Sequence, residues 1–149
     1  MRVSVIGGST VDEETYESAR TLGNRLADRG HTVLCGGLTG VMEATARGVA
    51  ERGGSTIGIL PGADREAANP YVDTVIATGL GNARNVLIAL NGDAVVAVDG
   101  GPGTLSEIGH ALDFGKPIAG LNTHDLPGIE HVETPEEAVQ YVETTVEMD

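Results

Sequence analysis

Tryptophan is absent from this chain of 149 residues, and phenylalanine, cysteine and lysine occur once each, as Phe114, Cys35 and Lys116. With no tryptophan and a single phenylalanine, any core is expected to be aliphatic and alanine-rich. A lone cysteine excludes an intrachain disulfide and fits a reducing compartment. A lone lysine, with eight arginines against 22 acids, leaves a formal charge of −13 at pH 7. So negative a field disfavours nucleic acid and anionic membranes as partners. Acidic, lysine-poor surfaces of this kind are expected of a halophilic protein from a haloarchaeal-type cytoplasm. No apolar stretch approaches the ~20 residues that span a bilayer, and the first residues enter a strand pattern rather than a hydrophobic signal region. The expectation is a soluble cytoplasmic protein with no membrane partner. The length suits one domain over residues 1–149.

Glycine is what the chain has in quantity: 22 residues, gathered at the ends of apolar segments and without a period. That placement points to tight turns and ligand loops, not to a fibre or a disordered chain. Short apolar runs at 2–6, 32–35, 56–60, 73–77, 94–98 and 117–121 alternate with helical patterns. The runs are mostly continuous, as in strands covered on both faces. Apolar helix faces are marked by Ala19, Leu22 and Leu26; by Met42, Ala46, Val49 and Ala50; and by Val86, Leu87 and Leu90. Two more carry Leu105, Ile108 and Leu112, and Val139, Val142 and Val146. Gly30, Gly53 or Gly54, and Gly115 offer left-handed helix ends, and Thr134-Pro135-Glu136-Glu137 reads as an N-cap followed by proline. The alternation implies an α/β fold: a doubly wound, mainly parallel sheet flanked by helices in three layers. Irregular stretches at 61–71 and 122–130 are candidate rims of a ligand cleft beyond the strand ends.

Three glycine-rich turns follow strands and fall on that edge: Gly7-Gly8-Ser9-Thr10, Gly36-Gly37-Leu38-Thr39-Gly40 and Gly100-Gly101-Pro102-Gly103-Thr104. The last joins the 94–98 run to a helical pattern that starts at once. Such a loop offers free N–H groups and positive dipole density to a phosphate, with Glu107 one turn further on. A P-loop needs a lysine after its last glycine; Lys116 sits instead between Gly115 and Pro117, which excludes it. A dinucleotide fingerprint needs Gly-x-Gly-x-x-Gly and an acid ending the second strand, whereas the first turn reads Gly-Gly-Ser-Thr-Val-Asp and the second strand ends Leu34-Cys35. Neither P-loop nor NAD chemistry is expected. No Gly-x-Ser-x-Gly elbow is present, and the four histidines lack metal-ligand spacing, so no metal site is assigned.

The pair Gly36-Gly37-x-x-Gly40-x-Met42 and Gly100-Gly101-x-Gly103-Thr104-x-x-Glu107 resembles the LOG-like proteins, a DprA-related family once named for lysine decarboxylases. The likeness keeps order and spacing over roughly residues 3–121, and the short chain is most similar to the molybdenum cofactor carrier-like branch. The resemblance implies a Rossmann-like fold, usually a homodimer, with a nucleoside monophosphate pocket. In the family's enzymes the N-glycosidic bond of a nucleotide is hydrolysed to a free base and ribose 5-phosphate. By position, Gly100, Gly101, Gly103 and Thr104 match the phosphate loop, Glu107 the catalytic carboxylate and Arg84 the arginine that accompanies it. Gly8, Ser9, Gly36, Gly37 and Gly40 join them as candidate phosphate or nucleotide contacts. The chemistry is coherent: breaking a nucleoside bond builds positive charge on the ribose, which a carboxylate stabilises or relieves by activating water. Arg84 would keep that carboxylate ionised or grip the ligand in bidentate fashion.

Two departures stand out. Asp99 occupies the position of the family's leading proline, and Asn82-Ala83-Arg84-Asn85 replaces the His-Glu-Arg-Lys of the hydrolases. Two functions therefore stand side by side: a nucleoside 5′-monophosphate phosphoribohydrolase, and a non-catalytic carrier or sensor of the molybdenum cofactor or a nucleotide. Neither requires a cofactor for its chemistry, and a bound nucleotide or molybdopterin is the small phosphorylated partner expected. Plainer readings of the same residues exist. Thr104-x-x-Glu107 shares capping-box spacing with Thr10-x-x-Glu13 and Thr134-x-x-Glu137. Arg84 also reads as a surface arginine paired with an acid, residues 36–40 as a bare turn, Ser9 and Thr10 as helix caps, and Asn82 and Asn85 as turn residues.

Overall fold

The computed structural model describes residues 1–148. Strands β1 (Arg2–Gly7), β2 (Thr32–Cys35), β3 (Thr56–Leu60), β4 (Thr74–Ala77), β5 (Ala94–Val98), β6 (Ile118–Leu121) and β7 (Ile129–Val132) form one sheet. Their order is β4-β3-β2-β1-β5-β6-β7, and every neighbouring pair is parallel. Helices α1 (Glu13–Asp28), α2 (Val41–Glu51), α3 (Asn85–Asn91), α4 (Pro102–Asp113) and α5 (Pro135–Met148) cover both faces. The fold is the three-layer, Rossmann-like α/β/α architecture expected from the alternation.

Strand β1 shows how both faces fill. Val3 and Val5 enter a core with Ala19, Leu22 and Leu26 of α1 and Val139 and Val142 of α5, whereas Ile6 joins Ile88 of α3 and Ile108 of α4. Ser4, fully buried on that second face, donates its hydroxyl to the Ile88 carbonyl at 2.6 Å. Strand β5 divides likewise, Val96 and Val98 to the first core and Val95 and Ala97 to the second. Each such buried valine contributes about 1.5–3 kcal/mol, which is why the strands carry unbroken apolar runs. With only the partly buried rings of Tyr16 and Tyr141 against it, the first core closes by bringing helix backbones together. A β-carbon on Gly48 would collide with the Arg20 carbonyl, and one on Gly23 with that of Thr45.

Several local expectations are amended. Strand β7 was not anticipated, because only Ile129 of it is buried while Glu130 and His131 face solvent, so no apolar run marks it. Residues 73 and 117 fall just outside their strands; the Asp73 carboxylate instead accepts the Thr56 N–H at 2.8 Å. Ala50, Leu90 and Leu105 are exposed rather than buried, and α3 buries Asn85, Ile88 and Ala89. Asp12, not Thr10, caps α1, accepting the Thr15 N–H at 2.8 Å. Thr134 does cap α5, accepting from Glu137 at 3.2 Å, and Gly30, Gly53 and Gly115 end their helices with φ of 77°, 69° and 69°. No described helix is long and apolar enough to cross a membrane.

Chain order reverses at β1, which has β2 on one side and β5 on the other. In a parallel sheet of this kind the loops diverge there and leave a crevice beyond the strand ends.

Candidate functional site

Three strand ends meet at that crevice. β1 runs into Gly8 and Ser9, β2 into Gly36, and β5 through Asp99 and Gly100 into Gly101, which precedes Pro102 at the first position of α4. Together with the turn Gly81–Arg84 that leads into α3, they enclose a cavity of about 280 Å³. Gly8, Ser9, Gly36, Gly101, Gly103, Thr104, Glu107 and Arg84 all line it, joined by Asn82, Asn85, Leu38 and Met42. Gly37, Gly40 and Gly100 lie outside the lining. The Gly37 carbonyl accepts the Asn69 N–H at 2.9 Å. Gly40, at φ 66°, caps α2 against the Gly8–Ser9 backbone, and Gly100, at φ 123°, leaves room for the Thr104 side chain.

Helix α4 begins three residues earlier than a Thr104-x-x-Glu107 capping box requires. Gly101 is the N-cap, no side chain caps the helix, and Pro102 has no N–H to offer. Among the described residues no acceptor meets the N–H groups of Gly101, Gly103 and Thr104; the ladder starts with Leu105 donating to Gly101 at 3.0 Å. Free donors at the positive end of a helix, facing a cavity, suit an anion.

Glu107 sits in the second turn of α4, 7% exposed, with no hydrogen-bond partner among the described residues. Burial pushes its carboxyl up to about 7, and the nearby Arg84 charge pulls the other way. Arg84 is likewise 7% exposed, which removes the reading of a surface arginine. Its Nε donates to the Ile59 carbonyl at 3.0 Å and its Nη1 to Asn85 Oδ1. Burial draws its pKa down, while Glu107 and Cys35 draw it up. The Cys35 thiol, wholly buried behind the pair, is pushed up to about 11 by desolvation and stays protonated. The cavity thus holds one cation and one acid whose pKa burial has raised, coupled through space without a salt-bridge contact.

A second concavity, about 660 Å³, lies between the start of α1 and the ends of β5, β6 and β7. It is larger but lined by Asp12, Glu14, Asp99, Asp125 and Glu133, a set that repels anions. Asp99 belongs to this side. Held at φ 55° by its N–H on the Leu121 carbonyl (3.0 Å) and its carbonyl on the Thr123 hydroxyl (2.6 Å), it lies behind Gly8 and outside the glycine-lined cavity. Met42, expected on the apolar face of its helix and in the Gly-Gly-x-x-Gly-x-Met motif but not among the ligand contacts, lines the cavity, and the Ile59 carbonyl carries no sequence signal at all. For Met42 the Gly-x-Met spacing was the available sign.

A profile of the SLOG cluster4 family matches residues 1–148. The chain belongs to the SLOG cluster4 family. This SLOG protein is 46% identical over 142 residues to a protein of Archaeoglobus fulgidus with no assigned activity, covering 95% of this chain and 93% of that one. It is 34% identical over 122 residues to the cytokinin riboside 5′-monophosphate phosphoribohydrolase of Mycobacterium tuberculosis, covering 80% of this chain and 63% of the enzyme. The chain spans about half to two-thirds of the length of the curated phosphoribohydrolases it matches. Among solved structures, the molybdenum cofactor binding protein of Rippkaea orientalis superposes with a TM-score of 0.92 at 33% identity, covering 97% and 96% of the two chains. The LOG-like resemblance, with its carrier-like branch, is therefore the family relationship of this SLOG chain.

Proposed function

We propose that the glycine-lined cavity binds the phosphate of a nucleoside 5′-monophosphate, or of a similar phosphorylated ligand, and that Glu107 acts on the ribose of a nucleotide so bound. One observation carries this reading: a buried carboxyl without a protein partner faces the same cavity as the unpaired N–H groups of Gly101, Gly103 and Thr104. The phosphate would lie at the α4 N-terminus with Arg84 beside it, where Arg charge and helix dipole add. In hydrolysis, the oxygen of water bonds to C1′ as the C1′–N bond breaks. The bond electrons leave with the base, which takes up a proton, and the products are free base and ribose 5-phosphate. The ionised form of Glu107 would face the cationic C1′ or accept the proton of the attacking water.

A second reading, a carrier of the molybdenum cofactor or a sensor of a nucleotide, is favoured by a different observation. The near full-length superposition with a molybdenum cofactor binding protein contrasts with partial coverage of the phosphoribohydrolases. Asn82 and Ala83, where the hydrolases have His-Glu, are exposed and supply no acid or imidazole to the cavity. In that case the cofactor is cargo, its phosphate meeting the same N–H groups, and no bond is broken.

One assay separates the two. Wild type and Glu107→Gln are incubated at high salt with AMP, GMP, IMP, CMP and UMP, and free base and ribose 5-phosphate are measured. Release by wild type and not by the variant supports hydrolysis. No release above the variant, with molybdopterin copurifying, supports the carrier.

A further inference from the structure

Arg84 is the only cationic side chain in the cavity lining, so its aim decides where an anionic group can be gripped. Two hydrogen bonds and one clearance define where its guanidinium lies. Nε donates to the Ile59 carbonyl at 3.0 Å, Nη1 donates to Asn85 Oδ1, and Nη2 occupies the space where a β-carbon on Gly36 would stand 2.6 Å away. The first is a backbone contact that any arginine at this site could make. The third is permissive: it leaves room without holding anything. Only Asn85 pins the fork from the side, and it does so while 3% exposed at the start of α3 and itself lining the cavity.

We infer that Asn85 is a positioning residue for Arg84: a neutral acceptor that turns the guanidinium into the cavity and leaves its positive charge unspent for the ligand. The inference rests on the proposal above that Arg84 meets the ligand's anionic group. Neutrality is half of it. A carboxylate at Asn85 would hold the fork as well or better, but would neutralise the cation that must balance a phosphate beside Glu107. An amide keeps the geometry and the charge together. The residues explain the burial too. A buried asparagine in a short helix is unfavourable unless its polar atoms are used, and here Oδ1 takes a charge-assisted bond from the arginine.

The test compares wild type with Asn85→Ala, Asn85→Ser, Asn85→Asp and Arg84→Ala, each first checked for a native amide spectrum. Asn85→Ser serves if the alanine variant does not fold. The first readout needs no ligand: the Glu107 carboxyl is titrated by carbon-detected NMR. Arg84 and the Cys35 thiol are the titratable groups coupled to it, and Cys35 stays protonated, so the midpoint reports where the Arg84 charge lies. Asn85→Ala should move that midpoint upward, in the same direction as Arg84→Ala. The second readout is AMP affinity by calorimetry, expected to fall about tenfold in Asn85→Ala, the loss of one charge-assisted bond's worth of aim. Asn85→Asp should also bind AMP more weakly although Arg84 stays in place. A midpoint unmoved in Asn85→Ala while Arg84→Ala moves it overturns the positioning role, and wild-type affinity in Asn85→Asp overturns the need for a neutral acceptor. If wild type itself binds neither AMP nor inorganic phosphate, the phosphate proposal falls, whereas the ligand-free titration still decides what Asn85 does.

Discussion

Replacing Glu107 by glutamine isolates the electrostatic state of the cavity, because the amide keeps the side chain's shape and removes its proton chemistry. In the folded chain burial holds the Glu107 carboxyl at about 7, against 4.5 for the free side chain. The folded state therefore retains, between those two values, a proton that the unfolded chain has released. Below the lower value the carboxyl is neutral in both states and there is no penalty. Above the upper one it is ionised in both, and the folded state carries the whole cost of a buried charge. At about 1.4 kcal/mol per tenfold change in proton affinity, that cost reaches about 3 kcal/mol. Urea denaturation of wild type and Glu107→Gln, run in parallel from pH 4 to 8.5 at one salt concentration, reads the difference while other acids cancel. The two should be nearly equal at pH 4, and the variant should be up to about 3 kcal/mol more stable at pH 8. A difference that does not change with pH, or a variant less stable at pH 8, would refute a desolvated, unpartnered carboxyl.

Gly36→Ala places a β-carbon 2.6 Å from Arg84 Nη2 and 2.7 Å from Met42 Sδ, both movable side-chain ends. AMP affinity should fall at least about tenfold while stability drops by only about 1–2 kcal/mol, measured by calorimetry and denaturation. Gly48→Ala should destabilise by about 2–3 kcal/mol, the reverse of the usual gain from glycine to alanine in a helix, because α1 and α2 touch there through backbone. A stabilised variant would mean the helices stand further apart. Asp99→Pro, which installs the residue usual in the LOG-like loop, meets φ 55° and the loss of the N–H bond to Leu121. It should cost about 3 kcal/mol or more in a thermal melt; unchanged stability would mean the loop takes another backbone path.

The architecture was legible because β1, β5 and their neighbours are buried on both faces and so write themselves as apolar runs between glycine stops. β7 escaped because an edge strand with one buried residue leaves no such run. Helix faces were read less well where the helix is short: seven residues in α3 do not average out a misplaced Leu90, and the polar Asn85 takes a buried position. At the site, the glycine spacing located the turns but not which glycines face the cavity. Gly101 and Gly103 do, whereas Gly37, Gly40 and Gly100 only bend the chain or clear space for a neighbour. Thr104-x-x-Glu107 could not be separated from a capping box by spacing alone, since that depends on where α4 starts. Pro102 at the first helical position decides it, and places Glu107 inside the cavity rather than on the helix's own N–H groups. Likewise the side to which Asp99 turns follows from a left-handed backbone that no residue pattern announced.

The central claim is that a phosphorylated ligand sits on the N-terminus of α4 between Arg84 and Glu107. Amide NMR spectra recorded during titration with AMP, and with inorganic phosphate as the smaller probe, test it most directly. The account expects saturable shifts centred on the amides of Gly101, Gly103 and Thr104, and their loss or weakening in Arg84→Ala. Shifts centred instead on the acidic concavity around Asp12, Asp125 and Glu133, or no saturable shift with either probe, would contradict it.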